Sequence, residues 1–148
     1  MNRAEQAEFY IWALDYGLVE VSEVIEWADS IILEDPSPDL AFINLSLAGS
    51  KKKYEAVRAL AEVPGEVNQE TIFRKKISTL YEVINKDKER ASWVTHTLYR
   101  MMQNGDVPDE EAMDKIYIFD TRYEYVSSDD AELYKELVSF LRHYSSEI

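Results

Sequence analysis

The sequence predicts an all-α protein, a single compact domain over 1–148 built from seven to eight helices. Three observations carry this expectation. Four glycines and four prolines supply too few turns for most strand-rich folds of 148 residues. The chain is rich in Ala, Leu, Glu, Lys and Ile, most of which favour helix. Its apolar residues recur at steps of three and four, which lines them along one side of a helix. A chain this long buries a core without a disulfide or metal staple. Successive short helix pairs would also allow an α-solenoid-like stack.

The clearest element runs from Val21 to Ile32. Val21, Val24, Ile25, Ala28, Ile31 and Ile32 fall on one side. Ser22, Glu23, Glu26, Asp29 and Ser30 fall on the other, with Trp27 at the edge of the apolar face. Upstream, Gly17 can take a positive φ and close the preceding helix. Downstream, Asp35-Pro36-Ser37-Pro38 breaks the helix, because proline lacks an amide hydrogen and restricts the residue before it.

A first helix is expected over about 4–16, with Phe9, Trp12, Ala13 and Tyr16 sharing a face beside Ile11 and Leu14. A third starts from Ser37 as cap and Pro38 as first position. Leu40, Ile43 and Leu47, flanked by Phe42 and Leu45, carry its apolar face, and Ala48-Gly49 ends it. Ser50 can cap a fourth, to about Glu62, whose apolar face is Tyr54, Val57, Leu60 and Ala61. Lys51-Lys52-Lys53 lies in its first turn, the unfavourable end for positive charge, which packing against the acidic second helix would offset. Pro64-Gly65 stops it.

A fifth helix is expected over about 68–84, on Ile72, Phe73, Ile77, Leu80, Tyr81 and Ile84. Its Arg74-Lys75-Lys76 run must send one or two cations along the core edge. A sixth covers about 89–103, on Ala91, Val94, Leu98, Met101 and Met102, until Asn104-Gly105-Asp106 and Pro108. Over 112–126, Ala112, Ile116, Phe119, Tyr123 and Val126 step as in a helix, although the β-branched and aromatic residues there also favour strand; helix is expected. The last helix opens on Asp129 and Glu132 as a capping-box pair and buries Leu133, Leu137, Phe140, Leu141 and Tyr144.

Charge is unevenly distributed within a total of −13. Residues 1–50 carry ten acids and one base, Arg3. Residues 51–104 carry eleven bases and seven acids, and residues 105–148 twelve acids and four bases. The acidic thirds repel nucleic acid and anionic membrane and steer a basic partner inward. High net charge also serves solubility alone. No stretch approaches the roughly 18 apolar residues of a membrane span. The start of the chain, Met1 to Glu8, has acids where a signal peptide needs bases. The absence of cysteine excludes thiolate catalysis and Cys-ligated zinc and suits a reducing cytoplasm.

No catalytic signature stands out. His96 and His143 belong to no metal-binding spacing, no serine lies in a GxSxG context, and the glycines are isolated. Glu23, Glu26 and Asp29, or Asp109, Glu110, Glu111 and Asp114, could in principle hold a divalent cation, but acids on helices mostly form solvated faces and caps. The expectation is therefore a non-enzyme with no metal and no cofactor. Lys51–Lys53, Arg74–Lys76 and Lys86, Lys88 and Arg90 could form one basic patch, yet the acidic flanks argue against nucleic acid as a partner. Ten tyrosines supply contact area at low entropic cost, or core-edge packing.

The order Trp12, Tyr16-Gly17-Leu18, Val24-Ile25-Glu26-Trp27-Ala28-Asp29, Ile32, Pro36, Leu40 and Leu45-Ser46-Leu47 resembles the opening of small all-helical bacterial immunity and immunity-like proteins of polymorphic toxin systems. The likeness covers about the first third of the chain. It implies a non-enzymatic protein that binds one toxin domain and blocks it; with the absence of cysteine, a cytoplasmic location is expected. On that implication, an acidic surface would meet a basic cleft, such as that of a nuclease toxin. Glu20, Glu23, Glu26, Asp29, Glu34 and Asp35 are the candidate contact acids, with Tyr123 and Tyr125 as candidate aromatic anchors. Two rivals come from other classes: a small helical enzyme with a carboxylate or metal site, and a self-associating structural or adaptor module.

Overall fold

Asn2 opens the chain's first helix with a capping box. Its side chain accepts the Glu5 N–H at 2.8 Å, and the Glu5 carboxylate accepts the Asn2 N–H at 2.8 Å. The structure, a computed structural model, describes residues 1–49, 52–125 and 130–145, leaving aside the side chains of 124 and 125. Among these residues there are eight α-helices and no strand, so the protein is all-α. By contacts the chain divides into two units, Met1–Asn68 and Gln69–Ile148.

The first unit holds α1 (Arg3–Asp15), α2 (Val21–Glu34), α3 (Leu40–Ser46) and α4 (Lys53–Ala61). Here α1 packs against α4, α2 against α3, and α3 against α4. Leu14, Val21, Val24, Ala28, Ile31, Phe42, Leu45, Ala56 and Leu60 meet in its core. Trp27 packs edge-on to Phe42 (5.4 Å between ring centroids) and to Tyr10 (5.3 Å). Its place at the edge of the apolar face is thus a packing role. Gly17 takes φ +70° after α1, a conformation an L side chain rarely adopts. Glu5 is buried, and its second oxygen accepts the Asn68 N–H at 2.9 Å, while the Asn2 amide donates to the Glu66 carbonyl at 2.8 Å. The start of α1 and the segment after α4 are thereby clasped together.

Three details of this unit differ from the sequence expectation. The cap of α3 is Asp39, whose carboxylate accepts the Ala41 N–H at 2.9 Å, and not Ser37. Ser37 instead donates its N–H to Asp35 at 2.9 Å, and Pro38 stays outside the helix. The buried row of α3 is Ala41, Phe42 and Leu45, so Leu40, Ile43 and Leu47 face outward. A seven-residue helix with apolar groups nearly all round offers two rows, and the one carrying Phe42, which reaches Trp27, is the one buried. In α4 the buried row is Ala56, Ala59 and Leu60, with Tyr54 exposed. The two alanines let α4 approach its neighbours closely, which an aromatic at Tyr54 would not. The proposed cap Ser50 and Lys51 lie outside the described residues. Lys53 meets Asp15 at the end of α1 at 4.0 Å. Each charge there sits at the wrong end of its own helix, and the pairing offsets both.

The second unit holds α5 (Gln69–Lys86), a 3₁₀ turn at Lys88–Arg90, α6 (Ala91–Gln103), α7 (Glu110–Tyr125) and α8 (Ala131–Tyr144). In this unit α5 packs against α8 and α6 against α7. The segment with competing strand propensity is helical: Ala112, Ile116, Phe119 and Tyr123 are all buried along α7. Phe119, Phe140, Tyr144 and Phe73 form a chain of ring contacts across α7, α8 and α5. Of Arg74, Lys75 and Lys76, it is Lys76 that is buried, as the core-edge argument requires. The cap of α8 is Asp130, which accepts the Glu132 and Leu133 N–H groups. Asp129, the expected cap, and Val126 lie outside the described residues.

Candidate functional site

The outer face of α2 gathers four of the expected contact acids. Glu23 and Glu26 are exposed one turn apart, with Asp29 one further step along. Glu20 precedes the helix as its cap residue without making a side-chain cap bond, and Glu34 is exposed at the other end. Glu20, Glu23, Glu26 and Glu34 make no ion pair among the described residues. Asp35 is different. It binds Arg3 at 2.8 Å and accepts the Ser37 N–H, and the Arg3 guanidinium holds its carboxyl below the usual carboxylate range. Asp35 is thus a structural tie between α1 and the end of α2.

Beside this face lies an apolar one. The hydroxyl of Ser46, in α3, donates to the Asp29 carboxylate. With α2 and α3 packed together, that bond sets the two outer faces side by side. On α3 the outward row is Leu40, Ile43 and Leu47, exposed by 65%, 38% and 78%; Leu33, one turn beyond Asp29 on α2, is exposed by 87%. Single exposed leucines are ordinary, but four large apolar side chains on two adjoining faces form a patch. The sequence expectation missed this patch because it assigned the α3 row to the core.

The aromatic candidates lie in the second unit. Tyr123 is only 8% exposed, so its ring is part of that unit's interior. Its hydroxyl has no hydrogen-bond partner among the described residues, and burial pushes its pKa up to about 12. The Tyr125 side chain lies outside the described residues. Tyr123, Ser92, Thr95, His96 and Asp120 line a cleft of about 440 Å³ between α6 and α7. There His96 Nδ1 stands 3.9 Å from the Asp120 carboxylate, and Thr95 donates to the Ser92 carbonyl at 2.9 Å. A second cleft, about 630 Å³ between α7 and α8, holds Arg122 paired with Glu136 and Lys115 paired with Glu111 at 3.7 Å.

Other charged groups are engaged locally. Arg74 pairs with Glu70 at 3.3 Å, Lys88 lies over the Tyr134 ring, and Arg90 over Trp93. Asp109 accepts the Glu111 N–H at 2.9 Å, a capping role for α7. Among the described residues no three of His, Asp and Glu are placed to hold a metal ion, and no helix is long and apolar enough to cross a membrane. Comparison with protein-family models, curated proteins and solved structures finds no match for the chain.

Proposed function

We propose that the chain is a binding protein, an immunity protein that neutralises a cognate bacterial toxin by stoichiometric association through the outer face of α2. The observation that carries this is the row Glu20, Glu23, Glu26 and Glu34, exposed and without ion pairs among the described residues. Surface ion pairs bring little energy, so exposed acids gain little from pairing within the chain. Acids left open on a rigid helix keep their field for an incoming partner. A basic cleft, such as that of a nuclease toxin, would be drawn in by this field and blocked once occupied. The action is cytoplasmic and needs no metal, cofactor or catalytic group of the chain itself.

The test is co-expression with the product of the neighbouring reading frame. The expected result is a one-to-one complex with a basic C-terminal domain, whose toxicity disappears when this chain is present. Continued toxicity with no complex formed would refute the proposal. Calorimetry with divalent cations addresses the rival carboxylate enzyme, which predicts a stoichiometric binding isotherm where the immunity reading predicts none.

A further inference from the structure

The apolar patch beside the acids carries a more specific inference, which rests on the chain being a binding protein. We propose that Leu33, Leu40, Ile43 and Leu47 dock an amphipathic helix of the partner, one with an apolar stripe flanked by Lys and Arg.

The shape argues for a helix. Leu40, Ile43 and Leu47 are spaced i, i+3, i+7 and run about 10 Å along α3. Leu33 stands on the adjoining α2, whose contact with α3 is pinned by Ser46 and Asp29. Two packed helices that each expose apolar groups can accept a third helix laid across them. The charge identifies the flanks. Glu26, Asp29 and Glu34 share the outer face of α2 with Leu33, and Asp39 directly precedes Leu40. Residues 1–50 carry ten acids against one base. A second copy would bring the same acids against this rim, which charge repulsion opposes. Lys and Arg flanks complement it, and their long stems can cover the leucines while their heads reach the carboxylates.

The experiment titrates the ¹⁵N-labelled full chain with a synthetic helix-forming peptide of about 14 residues. The peptide bears Leu at helical spacing and Lys and Arg elsewhere. A twin carries Glu in place of every Lys and Arg. The expected result is amide shifts centred on Leu33 and 40–47, with the twin binding at least about tenfold more weakly. Leu40→Asp with Leu47→Asp should abolish the shifts. Leu33→Ser, on the other helix, should weaken them and keeps the test open if the double variant misfolds. Equal binding of the twins, or shifts centred elsewhere, would overturn the proposal. So would a wild-type dimer in sedimentation that the double variant returns to monomer, because a second copy would then cover the patch. Should the neighbouring toxin domain bind the double variant as well as wild type, the docking proposal fails and the immunity proposal stands. Should that domain fail to bind wild type while the peptide binds the patch, the immunity proposal fails and the docking face stands.

Discussion

Ser46 donates its hydroxyl to the Asp29 carboxylate, and this bond joins the acidic face of α2 to the apolar row of α3. Neither residue is buried, so the bond adds little to stability. Its consequence is positional: it holds Asp29 of α2 against α3, next to which Ile43 and Leu47 are exposed. Charge then serves the approach of a partner and apolar area its retention. Ser46→Ala should lower stability by no more than about 1 kcal/mol in urea unfolding. It should also weaken partner binding, because Asp29 is released from its fixed position.

Leu45 in α3 and Leu47 at its C-cap should behave oppositely. Leu45 is fully buried and Leu47 is 78% exposed. Leu45→Ala leaves a cavity in the first unit and should cost about 2–5 kcal/mol. Leu47→Ala should change stability by less than about 0.5 kcal/mol. Denaturant unfolding of both variants checks the assignment of the outward row. Similar losses at the two positions would mean that the row has been placed on the wrong side.

Acid should loosen the clasp at Glu5. Backbone N–H donors from Asn2 and Asn68 hold its carboxyl below the usual carboxylate range. The folded chain therefore binds this proton more weakly than the unfolded chain. Its contribution is complete above the unfolded pKa and is lost as pH falls from about 5 through the folded value. Glu5→Gln presents an amide NH₂ to one of the two donors. The variant should melt below wild type at pH 7, and the gap should narrow at pH 3. A constant gap across that range would contradict the assignment.

Alkali should act through Tyr123. Burial pushes its pKa up to about 12, so the folded chain keeps a proton that the unfolded chain releases near pH 10. Stability must then fall as pH rises above about 10. Tyr144 adds to this loss, since burial, with Asp109 as hydrogen-bond partner, also raises it to about 12. Tyr123→Phe removes a buried hydroxyl without a partner among the described residues. At neutral pH the variant should equal wild type or exceed it by about 1 kcal/mol. Its alkaline unfolding should begin at higher pH.

The all-α class and the helix order were legible because long apolar rows repeat through the chain. Leu133, Leu137, Phe140, Leu141 and Tyr144 fix the buried side of α8 without ambiguity. Short helices are where periodicity loses its force. In α3, seven residues with four large apolar groups fit two rows, and only the ring contact of Phe42 with Trp27 decides between them. In α4 the alanines that pack closely carry less hydrophobic signal than the Tyr54 they leave outside. Caps moved for a related reason: Asp39 and Asp130 each lie within two residues of the expected Ser37 and Asp129, and local sequence offered both. The acids of α2 were legible as a face. The apolar patch was not, because a leucine row reads as core until a better core is seen to form on the other side.

The central claim is that the exposed acids of α2 draw in a basic partner. The most direct measurement is the association rate with the basic domain from the neighbouring reading frame. It should be taken at low and high salt, for wild type and for the Glu23→Lys, Glu26→Lys, Asp29→Lys variant. Wild type should associate quickly at low salt and slow by about tenfold or more as salt screens the field. The triple variant, with its helicity retained, should associate slowly and with little salt dependence. A folded triple variant with the wild-type rate and the wild-type salt slope would contradict the claim.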